Sequence, residues 1–290
     1  KDIIEEAKLI GAKGAGITGG DPLVKIDRVL KYVKLLKKTF GKKFHIHLYT
    51  SLDLVTKKNI EKLYIAGIDE IRIHPDIYNP SLWGKVSFFE EYSWDLGVEI
   101  PVIPNAKKQT EKLIEFFAGR INFLNLNELE IADSKFQRLG SFMPKDNISY
   151  GVKGSETLAK YLLKKYEKKI KNIHYCTTKL KNKAQLGNRL KRRARNIKQP
   201  YDYVRKDGML IRGAIYSANF KKLTKTKDML IEKYSVPEQL IKIDKTKKRL
   251  LTSIDIVYSL RFLLKKENLK PAIVTEYPTW DNFPLEIDFI

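Results

Sequence analysis

Strand-like and helix-like patterns alternate through residues 14–177, and this alternation restricts the fold more than any other feature. "GAGITGG" reads as a strand. "LVKIDRVLKYVKLLKKTF" follows, with Val24, Ile26, Val29, Leu30, Val33 and Leu36 at helical spacing. "FHIHLYT" (44–50), "IDEIRIHP" (68–75), "VEIPVIPN" (98–105), "INFLNLNELE" (121–130) and "NIHYCT" (172–177) read as further strands. Helical patterns separate most of them: "LDLVTKKNIEKLYIAG", closed by Gly67, then "SLWGKVSFFEEYSWDLG", "AKKQTEKLIEFFAGR" and a segment at 154–170. The stretch "IADSKFQRLGSFMPKDNISYG" breaks the rhythm. Repeated strand–helix units with short connections imply parallel strands and right-handed crossovers. Chemistry in such folds sits beyond the carboxyl ends of the strands.

Those ends are polar: Gly19-Gly20-Asp21, Tyr49-Thr50-Ser51, His74-Pro75-Asp76, Pro104-Asn105 and Asn127-Glu128. Together they predict one polar rim. The first is the most unusual. A glycine-rich strand end can cradle phosphate, but Asp21 repels an anion, and neither GxGxxG nor a Walker lysine is present. Exposed backbone carbonyls beside a carboxylate suit a cation such as an ammonium group. An ordinary turn with Asp21 as N-cap and Pro22 opening the next helix also fits. Either way Asp21 reads as a rim acid, so Asp21→Ala is expected to leave the fold largely intact.

The chain of 290 residues is 43% hydrophobic, enough for a substantial core. It has no run of apolar residues long enough to span a membrane, so no membrane partner is expected. Its one cysteine, Cys176, points to a reducing compartment, read as cytoplasmic. Lys and Arg number 56 against 34 Asp and Glu, a formal charge of +22. Such a field attracts phosphate-rich partners, although Lys-rich surfaces also occur in heat-loving organisms. Lys, not Met, stands first, so a preceding segment is expected.

"GITGGDPL" resembles the GGEP motif of radical S-adenosylmethionine (SAM) enzymes, with Asp in place of Glu. In that family the motif closes the second strand of a partial (βα)6 barrel and receives the methionine ammonium of the cofactor. "FHIHLYTS", "IDEIRIHP", "VEIPVIPN" and "INFLNLNELE" resemble the third to sixth strands in order. The whole is similar to archaeal radical SAM proteins related to pyruvate formate-lyase activating enzyme. The resemblance implies an α/β fold. Residues 1–178 would form a partial (βα)6 TIM-like barrel, and residues 179–290 a small basic α+β C-terminal domain. It also implies SAM and a [4Fe–4S] cluster as cofactors, and an electron donor for the cluster. The family's CxxxCxxC loop is missing, and one cysteine does not ligate a cluster. The first strand and the cluster ligands are therefore expected upstream of Lys1.

Site roles follow from the resemblance. Thr18, Gly19, Gly20 and Asp21 would hold the ammonium; Thr50 and Ser51 would bond the cofactor's carboxylate or ribose. Arg72, on one strand face with His74, would pair with the methionine carboxylate, with Glu70 as its structural alternative partner. Asn105 and Asn127 would touch ribose or adenine. His45 and His47 share a face by period two. Two ligands fall short of a metal site, so they read as core or rim residues, and no metal-ligating set is expected. His174 and Cys176 read likewise.

From Lys164 to Lys198, Glu167 is the only acid. Arg189, Arg192, Arg193 and Arg195 are candidates for phosphate contacts, and Tyr201 for stacking on bases. The closing "KPAIVTEYPTWDNFPLEIDFI" is expected to lie against the protein body, since Trp280, Phe283 and Phe289 would otherwise be exposed. Three readings result. The first is a radical SAM enzyme acting on a polyanion, with tRNA leading. The second is the same enzyme acting on a protein or small metabolite. The third is a cluster-free nucleic-acid-binding barrel.

Overall fold

The computed structural model describes residues 2–131, 142–145, 150–180 and 185–290. Much of the irregular stretch at 131–151, and residues 181–184 of the basic run, lie outside the described residues. The chain divides into two compact units, Ala12–Asn182 and Lys1–Gly11 with Lys183–Ile290. The opening helix α1 (Asp2–Leu9) thus belongs with the C-terminal residues and not with the barrel strands.

In the first unit six strands run parallel in strict sequence order: β1 (Gly14–Ile17), β2 (His45–Thr50), β3 (Glu70–Ile73), β4 (Asp95–Val102), β5 (Phe123–Glu128) and β6 (Asn172–Cys176). Helices α2 (Ile26–Phe40), α3 (Lys57–Ala66), α4 (Lys107–Phe117) and α5 (Ser155–Tyr166) fall between strands. A short turn of helix, α6 (Thr178–Leu180), follows β6. An order without reversal, joined by right-handed crossovers, places the helices on one face of the sheet, as in a partial α/β barrel.

Burial agrees with that winding. Ile46, Leu48, Ile71, Ile73, Val98, Ile100, Val102, Leu124 and Leu126 are buried, and the alternate residues of the same strands are mostly half-buried. The helices bury apolar stripes of their own, such as Val29, Val33 and Leu36 of α2. Gly67 ends α3 in the left-handed conformation (φ 98°), its N–H bonding the carbonyls of Leu63 and Tyr64. A side chain at that φ would be strained.

One expected helix is absent. Pro80–Phe88 forms 3₁₀ turns that bury Trp83 and Val86. Residues 80–97 carry Gly84 and Gly97, three serines and six aromatic or β-branched residues, a poor composition for an α-helix. The segment stays pinned because Trp83 and the neighbouring Phe89 are buried.

The second unit contains α7 (Gly187–Ile197), β7 (Tyr203–Val204), β8 (Leu210–Tyr216), α8 (Phe220–Glu232), β9 (Lys242–Asp244), β10 (Arg249–Thr252), α9 (Ile254–Ser259), α10 (Arg261–Lys266), β11 (Lys270–Glu276) and β12 (Pro284–Phe289). Its antiparallel sheet runs β12-β11-β8-β10-β9, with β7 also on β8. Ile215, Leu223, Leu230, Leu250, Val257 and Leu264 form its core. The closing segment departs from expectation. β12 pairs with β11, yet Trp280 is 88% exposed, and Phe283 and Phe289 are also largely exposed. Apolar residues are not obliged to be inside, and here Phe289 sits on an edge strand while Trp280 and Phe283 lie in the turn before it.

Candidate functional site

The candidate site lies at the carboxyl ends of β1 to β5 and on the sheet face that carries no helices. Its anchor is Asp21. Oδ1 accepts the Leu23 N–H at 2.9 Å, capping the 3₁₀ turn that Pro22 opens. Oδ2 accepts from Thr50 Oγ1 at 3.0 Å, Ser51 N at 3.0 Å and Ser51 Oγ at 2.9 Å. One carboxylate therefore ties the end of β1 to the end of β2. This corrects the expectation that Asp21 is dispensable to the fold.

The preceding glycines stand open. Gly19 and Gly20 have φ of 100° and 54°, and a Cβ on either would meet nothing within 4 Å. Among the described residues, no backbone or side-chain donor bonds the carbonyl of either glycine. Thr18 is exposed beside them.

Ser51 Oγ also lies 2.7 Å from Oδ2 of Asp53. A hydroxyl has one hydrogen, so it cannot donate fully to both carboxylates. Two acids thus share one donor at this corner, which favours a cation there. The loop that sets this up is strained: Leu52 is fully buried with φ 79°. Lys85 Nζ holds it by bonding the carbonyls of Leu52 and Asp53, both at 2.9 Å. Backbone strain of this kind persists only where neighbours over-determine it.

A cleft of about 360 Å³ opens next to the loop, lined by Ser51, Asp53, His74, Asp76, Tyr78 and Pro101 among others. His74 is exposed, and its Nδ1 lies 2.7 Å from the Glu99 carbonyl. A carbonyl only accepts, so Nδ1 carries the hydrogen of this bond.

On the helix-free face the register brings distant residues together. Glu99 is the hub. It accepts from Arg72 Nη1 at 3.3 Å, Asn125 Nδ2 at 3.2 Å and Asn127 Nδ2 at 2.9 Å. Arg72 also donates to Glu70 and, at 2.8 Å, to the Tyr49 hydroxyl. Burial, then the Glu99 charge, raises the Tyr49 phenol above its ordinary range. His45, His47 and Glu70 lie on this face too, at its amino-terminal side. Burial first, and Arg72 second, push His47 down to about 4, so it is a neutral imidazole.

The structure thus joins Asp21, Thr50 and Ser51, and links Arg72, Asn127 and His74 through Glu99. Asn105 is exposed in the turn after β4 and, unlike Asn127, is not among the residues that bond Glu99. Sequence reasoning missed Glu99 and Asp53, and took Tyr49 only as part of a polar strand end without a role. Glu99 was signalled by being the one charged residue in "VEIPVIP". Its partners depend on the β3–β4–β5 register, which one strand cannot reveal.

Two residues assigned to nucleic acid are corrected. Arg193 is 5% exposed and bonds both Glu6 oxygens, Nε and Nη2 each at 2.8 Å, and the Pro278 carbonyl. Tyr201 is 4% exposed, packed with Ala214, Leu251 and Val274, its ring 5.9 Å from the Arg212 guanidinium. Neither is free for phosphate or base. Arg189, Arg192 and Arg195 are exposed, although Arg192 Nε bonds the Ile10 carbonyl.

Over 243 residues the chain is 41% identical to a Methanocaldococcus jannaschii protein described as a "putative glycyl-radical enzyme activating enzyme". The alignment covers 80% of this chain and 64% of that protein, so the chain spans less than two thirds of its relative. The chain is thus similar in sequence to a protein that carries the description of an activating enzyme, the kind of protein its GGDP corner resembles. A crystal structure of SuiB from Streptococcus suis aligns with TM-score 0.44 and 16% identity, over 64% of this chain and 45% of that one. No protein-family model matches the chain.

Proposed function

We propose that the first unit, read as a partial (βα)6 barrel, binds S-adenosylmethionine at its Gly19-Gly20-Asp21 corner. We propose further that the whole protein is a radical SAM enzyme that activates a partner protein. The observation carrying the first part is the corner itself. Two unbonded carbonyls in an open glycine turn stand beside two carboxylates that share the Ser51 hydroxyl. An ammonium group has three donors and no acceptor, and these oxygens match it.

The remaining residues supply orientation. Asp21 and Lys85 hold the corner's shape. Glu99 and Asn127 offer a carboxylate and amides along the open face, and Asp53, His74 and Tyr78 line the adjoining cleft. With a reduced iron–sulfur cluster, the cofactor supplies hydrogen-abstracting radical chemistry; the protein contributes binding, orientation and exclusion of water. The residues of this chain do not fit the cluster. Cys176 is the one cysteine, buried at the end of β6, and a single thiolate does not ligate it. The name of the relative favours a protein as substrate, with an electron donor as second partner. With Arg193 and Tyr201 buried, the case for tRNA falls back on charge alone.

The test has two parts. The chain should bind S-adenosylmethionine, and Asp53→Asn should weaken binding about tenfold, the worth of one charge-assisted hydrogen bond. The whole protein, reduced anaerobically, should yield 5′-deoxyadenosine and methionine, and a glycine-centred radical on a glycyl-radical protein. Absence of cofactor binding overturns the site; absence of cleavage in the reduced whole protein overturns the enzyme assignment.

A further inference from the structure

The geometry points to a second site, on the helix-free face at the amino-terminal side of the strands: His45, His47 and Glu70 form a three-ligand site for a divalent first-row transition ion of the zinc class. β2 places His45 and His47 two residues apart on one face, and the parallel register sets Glu70 of β3 directly opposite His47. One nitrogen of each imidazole and one Glu70 oxygen all lie within 4.8 Å of one another. Ligands around a tetrahedral zinc stand about 3.4 Å apart, so small side-chain rotations close the set. One pair, His45 Nε2 and Glu70 Oε2, is already at 3.1 Å.

Three further features fit an ion here. First, Nδ1 of His47 is buried with no hydrogen-bond partner among the described residues, an unmatched polar atom of the kind native structures rarely leave. Second, Arg72 Nε holds the other Glu70 oxygen, Oε1, which fixes the carboxylate as an outer-shell partner does. Glu99 in turn offsets the Arg72 charge, so the formal sum over the Glu70, Glu99 and Arg72 side chains is −1. Third, β1 makes room. A Cβ at Gly16 would lie 2.5 Å from Nε2 of His47, and one at Gly14 would meet the His45 backbone at 2.3 Å.

Two imidazoles and one carboxylate select zinc, cobalt or ferrous ions over magnesium and calcium, which take oxygen ligands. Three protein ligands leave a position for water, and the His45 side chain, 43% exposed, connects the site to solvent. This site is separate from the proposed cofactor corner, and its test does not depend on it.

The chain, tag-free and stripped with chelator, is titrated with Zn²⁺ and with Co²⁺. One equivalent should bind, Co²⁺ should show the visible bands of a four- or five-coordinate ion, and Zn²⁺ but not Mg²⁺ should raise the melting temperature. His47→Ala and Glu70→Gln should each weaken Zn²⁺ binding by roughly 100-fold or more. Should either fail to fold, His45→Gln, at a partly exposed ligand, should show the same loss with its circular dichroism intact. Cys176→Ser and His174→Ala should bind as the parent does. Binding below one equivalent at micromolar Zn²⁺, equal binding in the ligand variants, or loss of binding in Cys176→Ser or His174→Ala overturns the proposal.

Discussion

Replacing Asp21 with alanine removes more than a charge on the rim. The carboxylate accepts four hydrogen bonds, from Leu23 N, Thr50 Oγ1, Ser51 N and Ser51 Oγ. Ser51 Oγ can turn to Asp53, which is already 2.7 Å away. The Leu23 N–H loses its cap, worth about 1 kcal/mol. Thr50, 3% exposed, keeps a buried hydroxyl with no partner, and an unsatisfied buried group costs about 1–3 kcal/mol. The expected loss is about 2–4 kcal/mol. For a unit the size of Ala12–Asn182, that lowers its melting temperature by roughly 6–12 °C. Scanning calorimetry reads it directly. A double-mutant cycle with Thr50→Val should give a coupling of about 1 kcal/mol between the two side chains. A loss under about 0.5 kcal/mol, the size of an ordinary surface change, with no coupling, would refute the tie between β1 and β2.

Other consequences can be measured alongside. Tyr201→Ala should destabilise the second unit by about 3–5 kcal/mol, as large-to-small core changes do, whereas Arg195→Ala should stay within about 0.5 kcal/mol; equal small effects would mean that Tyr201 is not packed. The Arg193 hydrogen bonds hold Glu6 below the usual carboxylate range. That contribution is fully present above the ordinary Glu pKa and is lost as pH falls through the lowered one. Protection of the α1 amides, as exchange rates corrected for the intrinsic pH dependence of amide exchange, should accordingly fall in acid, and Glu6→Gln should abolish this fall. Glu99→Gln turns an acceptor hub into a mixed group facing Arg72 and two amides. It should weaken S-adenosylmethionine binding by roughly tenfold in calorimetric titration, with melting lowered by a few degrees; unaltered affinity would remove the open face from the site.

What the sequence allowed to be read, and what it hid, separates along physical lines. Strand–helix alternation is local, so the six parallel strands were legible from period two and helical spacing. Asp21 was legible as an unusual acid, but not as a structural tie, because Thr50 and Ser51 reach it only through the fold. Glu70 was legible as a partner for Arg72, being two residues away on one strand. As a third group beside His45 and His47 it was not, since that depends on inter-strand register. The Arg193 assignment failed for a local reason. Leu190, Arg193, Ala194 and Ile197 stand at helical spacing on one stripe, and Leu190, Arg193 and Ala194 are buried. Reading α7 by charge alone concealed its inward face. Trp280 failed the opposite way, since an aromatic ring in a turn before an edge strand needs no cover.

The most direct test of the central claim is a crystal structure of the chain with S-adenosylmethionine bound. The account predicts the methionine nitrogen about 3 Å from the carbonyl oxygens of Gly19 and Gly20, on the side where Asp21 and Asp53 flank Ser51. A cofactor bound away from these glycines, or one turning its carboxylate toward them, would contradict it.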